Sequence, residues 1–277
     1  MNVKSKLKKY LQKKTVVIPV TKNISCDRLL SEKVALITGG SGGIGFAIAK
    51  KYVEYGAKVI IAGRSKNKVD ACCRKLGGSS VAKGVVVDIT KVSSFSVVMK
   101  KATSCFGKID ILVCSHGVHT EGDRLDFLTF TENEFDRVMD VNLKGTYFFC
   151  QQFAEYVIKH KIEKSHILLI SSSTSMEPSW SPYRLSKRGI NGLTQGMAQV
   201  LLRYGIIVNA IAPGSTATKM LNYERGGSIA TDENTNGRLV IPEEVAEYAA
   251  MMTSGLGDMI VGEVLLMSGG RGSIELR

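Results

Sequence analysis

From Lys33 onward the chain alternates short β-branched or aliphatic runs with longer stretches of helical periodicity, and no other feature narrows the possible folds as far. The runs are Val34 to Thr38, Lys58 to Ala62, Val81 to Val87, Ile109 to Val113, His166 to Ile170, Ile206 to Ala212 and Glu263 to Met267. Between them a helical period fits Ile44 to Tyr55, Lys66 to Leu76, Val92 to Phe106, Glu132 to Lys161 with a break near Asn142, Tyr183 to Tyr204, and Pro242 to Thr253. This is the βαβ pattern of a parallel sheet with helices on both faces. Thr131 with Glu134 reads as a capping box, and Pro242 as a first-turn proline.

A chain of 277 residues with 44% hydrophobic and 22% charged residues has the profile of a globular protein with a sizeable core. No apolar run approaches the roughly 18 residues of a membrane span, and the N-terminus lacks a secretory apolar stretch, so a cytoplasmic protein without stable membrane insertion is expected. The six cysteines (Cys26, Cys72, Cys73, Cys105, Cys114 and Cys150) include no CxxC pair and read as reduced thiols. His116 and His119 form an HxxH pair with no further ligand at metal spacing, so no metal site is expected. The net charge of +12 is concentrated: residues 1 to 32 hold eight Lys or Arg against two acids, half of the total. That argues against a nucleic-acid surface and sets residues 1–32 apart as a basic extension before a domain of residues 33–277. Within the extension Val3, Leu7, Tyr10 and Leu11 fall at helical spacing, compatible with a short helix on an anionic surface or with a frayed extension packed on the domain.

The segment TGGSGGIG, Thr38 to Gly45, follows the first strand directly and opens the first helix. Glycines at such a junction allow a tight turn, admit backbone N–H groups to a pyrophosphate and place the anion at a helix N-terminus. After the second strand stand Gly63, Arg64 and Ser65, and no carboxylate occurs between Glu54 and Asp70. An acid there would receive the ribose hydroxyls of NAD, whereas Arg64, with Lys66 or Lys68, suits the 2′-phosphate of NADP, so NADP is favoured over NAD. Asp88, ending the third strand, is a candidate for the adenine edge.

Tyr183 and Lys187 form Y-x-x-x-K on a strongly helical segment, which stacks both side chains on one face. A phenol titrates near 10, so favouring its phenolate near neutral pH takes about three units, roughly 4 kcal/mol. A nearby ammonium and an oxidised nicotinamide can supply much of this. Ser171, Ser172 and Ser173 end the preceding strand, where a hydroxyl can bond a reacting oxygen.

Taken together and in order, TGGSGGIG, Asp88, ILVCSHG (Ile111 to Gly117), VNLKG (Val141 to Gly145), ISS (Ile170 to Ser172), YRLSK (Tyr183 to Lys187) and NAIAPGSTAT (Asn209 to Thr218) resemble the short-chain dehydrogenase/reductase family from about Lys33 to about Gly270. The resemblance implies a single α/β domain, a doubly wound seven-stranded parallel sheet of Rossmann type, acting as an oxidoreductase. It assigns Ser172 to the substrate oxygen, Tyr183 as general acid in reduction and base in oxidation, Lys187 to the nicotinamide ribose and to lowering the Tyr183 pKa, and Asn142 to a water of the proton relay. Implied cofactor contacts are Gly39, Ser41, Gly43, Ile44 and Gly45; Arg64, Ser65, Asp88 and Ile89; Gly117, Pro213, Gly214, Thr216 and Thr218; and Tyr183 and Lys187 themselves. A homodimer or homotetramer built through the helices of Asn142 and Tyr183 is implied as well.

Three departures stand out. Cys114, Ser115 and His116 occupy the usual Asn-Asn-Ala before Gly117. Ser172 lies eleven positions before Tyr183, two fewer than usual, which leaves Ser173 as an alternative. Ser268 replaces the usual Asp before the terminal Gly-Gly. Specificity is expected from the loops Val118 to Phe130, Ser173 to Pro182 and Lys219 to Val240, the last reading as a polar lid, with Trp180 available to stack on a substrate ring. The lid's polarity leans toward a hydroxylated or charged small-molecule substrate, such as a sugar or polyol, over a steroid. The alternatives are a 3-oxoacyl thioester reductase, with Arg225 or the basic surface receiving the carrier, and a non-catalytic NADP-binding sensor or scaffold.

Overall fold

The computed structural model describes residues 28–120, 127–224 and 226–273. The helical spacing of Val3 to Leu11, Cys26 and Arg225 lie outside the described residues. Seven strands form one parallel sheet: β1 (Val34–Thr38), β2 (Lys58–Gly63), β3 (Ala82–Val86), β4 (Ile111–Cys114), β5 (Ser165–Ile170), β6 (Ile206–Pro213) and β7 (Val264–Met267), in the order β3-β2-β1-β4-β5-β6-β7. The order reverses between β1 and β4, where the crossovers leave a crevice beyond the strands' carboxyl ends.

Alternation along each strand divides the core in two. Ala35, Ile37, Val59 and Ile61 face α1 (Gly43–Glu54), α2 (Lys66–Lys75) and α7 (Pro242–Met252). Val34, Leu36, Ile60 and Leu112 face α3 (Phe95–Phe106), α5 (Gly145–Lys159) and α6 (Pro182–Leu201). Packing begins before the strand–helix alternation does. Leu30 is fully buried among the α1 and α7 side chains and its N–H donates to the Tyr55 carbonyl at 3.0 Å.

The expected break near Asn142 is a π-helical turn, Asp140–Lys144, joining α4 (Glu132–Met139) to α5 without interrupting the helical path. Thr131 caps α4, accepting from the Glu134 N–H at 3.2 Å, and Glu244 caps α7 by accepting from the Ile241 N–H at 3.0 Å. Strand β4 starts two residues later than its aliphatic run because the Ile109 N–H is taken by the Tyr156 hydroxyl (3.0 Å). Among the described residues no helix is long and apolar enough to cross a membrane.

Candidate active site

Helix α1 opens at the reversal point. Its N-cap is Gly42, which offers no side chain, and its first turn carries no acidic residue. The first amides of a helix have no intrahelical acceptors, so this end presents donors to the crevice without a competing cap or carboxylate. Gly39 makes the turn possible: its φ is +67°, and a Cβ there would lie 2.6 Å from the His116 backbone nitrogen. Gly45 packs under the loop so closely that a Cβ would meet the Gly39 carbonyl oxygen. Ile44 lies half-buried in the same turn, Thr218 lies over Gly43, and the Ser41 hydroxyl faces Gly63 at the end of β2. These features fit a bound diphosphate.

Arg64 stands exposed just past β2, and Ser65 caps α2 by accepting from the Lys68 N–H. Lys66 is held by Asp70 at 2.6 Å. Asp88 accepts from the Thr90 N–H (3.0 Å) and hydroxyl (2.8 Å). The Thr90 backbone N–H holds its carboxyl below the usual range, and Lys91 and Arg64 act in the same sense. Ile89 next to it is buried.

At the other end of the crevice Tyr183 and Lys187 lie one turn apart on α6, whose start is fixed by Ser181 accepting from the Arg184 N–H at 3.3 Å. The Lys187 ammonium is buried, 5.7 Å from the Tyr183 ring centroid, and donates to the Ile170 carbonyl at 2.9 Å. Burial pushes it down to about 8. A Cβ on Gly117 would lie 3.4 Å from Asn142 Oδ1 and 3.6 Å from Lys187 Nζ, so the three residues line one pocket wall.

The Asn142 side chain clamps the backbone of Val118, accepting from its N–H (2.8 Å) and donating to its carbonyl (2.9 Å), and also donates to Ser186 Oγ at 3.1 Å. Ser172 is the strand-end hydroxyl close enough to the Tyr183 phenol to favour its ionisation, and its Oγ accepts from the Thr174 hydroxyl (3.0 Å). Ser173 Oγ is buried without a partner among the described residues, and Ser171 bonds Asn191 Oδ1 at 2.6 Å, so the contracted spacing leaves Ser172 in place. Pro213 ends β6; Gly214 packs against Ser268, and Thr216 is buried with its hydroxyl on the Gly214 carbonyl (2.7 Å).

The family model for short-chain dehydrogenases matches residues 33–227. The chain belongs to the short-chain dehydrogenase family. A 3α-hydroxysteroid dehydrogenase of Mediterraneibacter gnavus is 32% identical over 87% of this chain and 97% of the relative. Among solved structures, a 3-ketoacyl-(acyl-carrier-protein) reductase from Brucella melitensis complexed with NADH has a TM-score of 0.79 at 30% identity, covering 88% of this chain and 100% of that one. A gluconate 5-dehydrogenase from Burkholderia cenocepacia in complex with NADP and tartrate has a TM-score of 0.80 at 28% identity, covering 90% and 99%. The protein is thus an oxidoreductase of this family.

This short-chain dehydrogenase departs from the sequence expectation in one electrostatic respect. Lys187 was expected to lower the Tyr183 pKa, but burial pushes the phenol up. The influences that pull it back are the Ser172 hydroxyl and the Arg271 guanidinium; Lys187, pushed down to about 8, has already lost its proton before the raised phenol titrates. Trp180, expected to await a substrate ring, lies under the Arg184 guanidinium at 5.2 Å and beside Phe130 at 6.0 Å.

Sequence reasoning missed three residues. Arg271 is one. A second is His119, whose ring lies 4.1 Å from that of Tyr183 at the site mouth. The third is His116, whose Nδ1 is 2.6 Å from Thr38 Oγ1 and whose Nε2 is 3.0 Å from Thr146 Oγ1. Thr146 donates its proton to the Asn142 carbonyl (2.8 Å), so it accepts from His116 Nε2–H, and Nδ1 of the neutral ring accepts from the Thr38 hydroxyl in preference to the more distant Val113 carbonyl (3.3 Å). One directed chain thereby ties β1 to the π turn. Burial keeps this imidazole neutral, pushing it down to about 3. The HxxH spacing was the sequence signal at His119, and at His116 the departure from the usual Asn-Asn-Ala was a second. Among the described residues no group of three or more His, Cys, Asp or Glu side chains is placed to hold a metal ion.

Proposed function

We propose that this protein is an NADP(H)-dependent oxidoreductase that interconverts a carbonyl and a secondary alcohol on a polar substrate such as a sugar or polyol. The observation that carries the reading is the stacking of Tyr183 and Lys187 along one face of α6, with Ser172 on the phenol and Asn142 and Gly117 beside the amine. A nicotinamide dinucleotide supplies or takes the hydride when bound. The open start of α1, from Gly39 to Gly45, would hold its diphosphate, Arg64 with Ser65 its 2′-phosphate, Asp88 and Ile89 its adenine, and Lys187 its nicotinamide ribose, with Gly117, Pro213, Gly214, Thr216 and Thr218 lining the rest.

In reduction Tyr183 Oη gives its proton to the substrate oxygen, and in oxidation it takes the proton back. Ser172 Oγ bonds the same oxygen and keeps it in line with the phenol. Asn142, through its clamp on Val118, holds the crevice wall against which the proton relay and its water are arranged. The NADP complex of the Burkholderia relative supports the cofactor and the polar substrate class.

The similarity to the Brucella reductase favours a second reading, a 3-oxoacyl thioester substrate. The exposed Phe135, Tyr147 and Leu185 on the helices of Asn142 and Tyr183 support a homodimer or homotetramer. Following NADPH oxidation and NADP+ reduction against ketones, sugars, polyols and 3-oxoacyl esters tests the whole. Tyr183→Phe is expected to lower kcat at least about 1,000-fold while NADPH still binds. Turnover that survives the substitution refutes the mechanism, and wild type inert to every class favours the non-catalytic, sensor-type reading.

A further inference from the structure

Beyond the carboxyl ends of β5, β6 and β7, charged side chains from four segments meet. Arg271, in the segment after β7, donates from Nε to Glu177 Oε1 (2.8 Å) and from Nη1 to Ser215 Oγ (2.9 Å) and Glu233 Oε2 (3.3 Å). Glu177 receives Arg184 on its second oxygen at 2.7 Å, and Ser215 also donates to Glu233. The network balances two guanidinium groups against two carboxylates.

Its members are not equivalent. Glu177 is 17% exposed and held by both arginines, so it is a fixed part of the wall. Glu233 is 55% exposed, sits on the polar segment after β6, and makes the longest of the arginine–carboxylate contacts (3.3 Å), while also accepting from the Ser215 hydroxyl. It is the partner that can leave. Arg271, 23% exposed, cannot be left unpaired as cheaply as a surface cation. Its surroundings belong to the reaction site: Ser215 follows Gly214, and the neighbouring Gly272 lies against the Ser173 carbonyl, one residue from Ser172.

We propose that Arg271 anchors a carboxylate of the substrate, and that Glu233 keeps that place filled in the free enzyme. The substrate class is a hydroxy acid and its oxo counterpart, with the carboxylate on Arg271 Nη1 and the reacting carbon at Tyr183. The exchange conserves charge, since one carboxylate leaves the guanidinium as another arrives. A guanidinium suits this role because its N–H fork matches carboxylate geometry. A neutral polyol or a thioester lacks the group that would displace Glu233. The choice of reacting carbon rests on the oxidoreductase reading above, whereas the anchor is a statement about binding.

The test is calorimetric titration of the protein with NADP+ present, using matched pairs: gluconate against glucitol, and tartrate against threitol. Wild type is expected to bind each acid about tenfold or more tighter than its neutral partner. That ratio should collapse toward one in Arg271→Met, fall partway in Arg271→Lys, and widen in Glu233→Gln. Thermal melts check the fold of each variant; should Arg271→Met fail to fold, Arg271→Lys and Glu233→Gln carry the test. No preference for the acids in wild type, or a preference unchanged in the folded Arg271 variants, overturns the proposal. Turnover is read separately. Acids that bind selectively through Arg271 but are never oxidised refute the placement of their reacting carbon at Tyr183 and leave the anchor standing. Neutral partners turned over as efficiently as the acids do the reverse.

Discussion

Replacing Lys187 by methionine should abolish turnover and, in the dinucleotide-free protein, raise stability. The Lys187 amine is pushed from 10.5 to about 8 because it is buried, and the group it donates to, the Ile170 carbonyl, is neutral. At about 1.4 kcal/mol per unit, holding it charged in the folded state costs about 3 kcal/mol. The folded pKa lies below the unfolded one, so the full penalty is present below about pH 8, where both states carry the proton. Between there and about pH 10.5 the unfolded chain holds more protons, and stability rises with pH. Methionine keeps the stem's volume but leaves the Ile170 carbonyl without this donor, at a cost of about 1–2 kcal/mol. The net expectation near neutral pH is a gain of about 1–2 kcal/mol, a few degrees in Tm. Urea unfolding of both proteins at about pH 7 and about pH 9.5 measures it, with the gap narrowing at the higher pH as wild type sheds its buried charge. A variant that is less stable at neutral pH, or a gap that ignores pH, would refute the reasoning.

Two further outcomes follow from other parts of the molecule. Arg64→Asp should weaken NADPH binding by about 10- to 100-fold and leave NADH within a few-fold, read by nucleotide titration, since it removes a charge-assisted contact to the 2′-phosphate; equal losses would remove Arg64 from that role. Deleting residues 1–27 should leave turnover and the urea midpoint unchanged, whereas deletion through Glu32 also removes the buried Leu30 and its bond to Tyr55, lowering stability by about 3 kcal/mol.

The layers of this fold were legible because a strand covered on both faces is written as an unbroken aliphatic run, as in Val34 to Ile37 or Ile167 to Ile170. The glycine loop and the Tyr183–Lys187 pair were legible because their spacing is local: a strand-to-helix turn in one case, one helical turn in the other. What escaped was set by distant partners. The start of β4 depends on Tyr156, 47 residues away from Ile109. The break at Asn142 turned out to be a π turn held by Thr146 and by the Val118 backbone, 24 residues upstream. His116 reads as an odd letter in a motif until the fold brings Thr38, 78 positions earlier, against its ring. Arg271 meets Glu177 across 94 residues, a separation that no periodicity encodes.

The same arginine links acidity to substrate choice. Burial makes the Tyr183 phenol a weaker acid than a solvated one, and any unpaired carboxylate nearby would worsen this. Glu177 and Glu233 both stand in that neighbourhood, yet both are matched by guanidinium groups of Arg184 and Arg271. A carboxylate substrate simply added to such a site would tip the balance against the phenolate on which alcohol oxidation depends. A substrate that displaces Glu233 from Arg271 brings its charge in while another moves toward solvent, and the field at the phenol is preserved. An anchor that exchanges one carboxylate for another therefore satisfies two demands, recognition of an acid and retention of a proton acceptor beside it, which a fixed surface cation would set against each other.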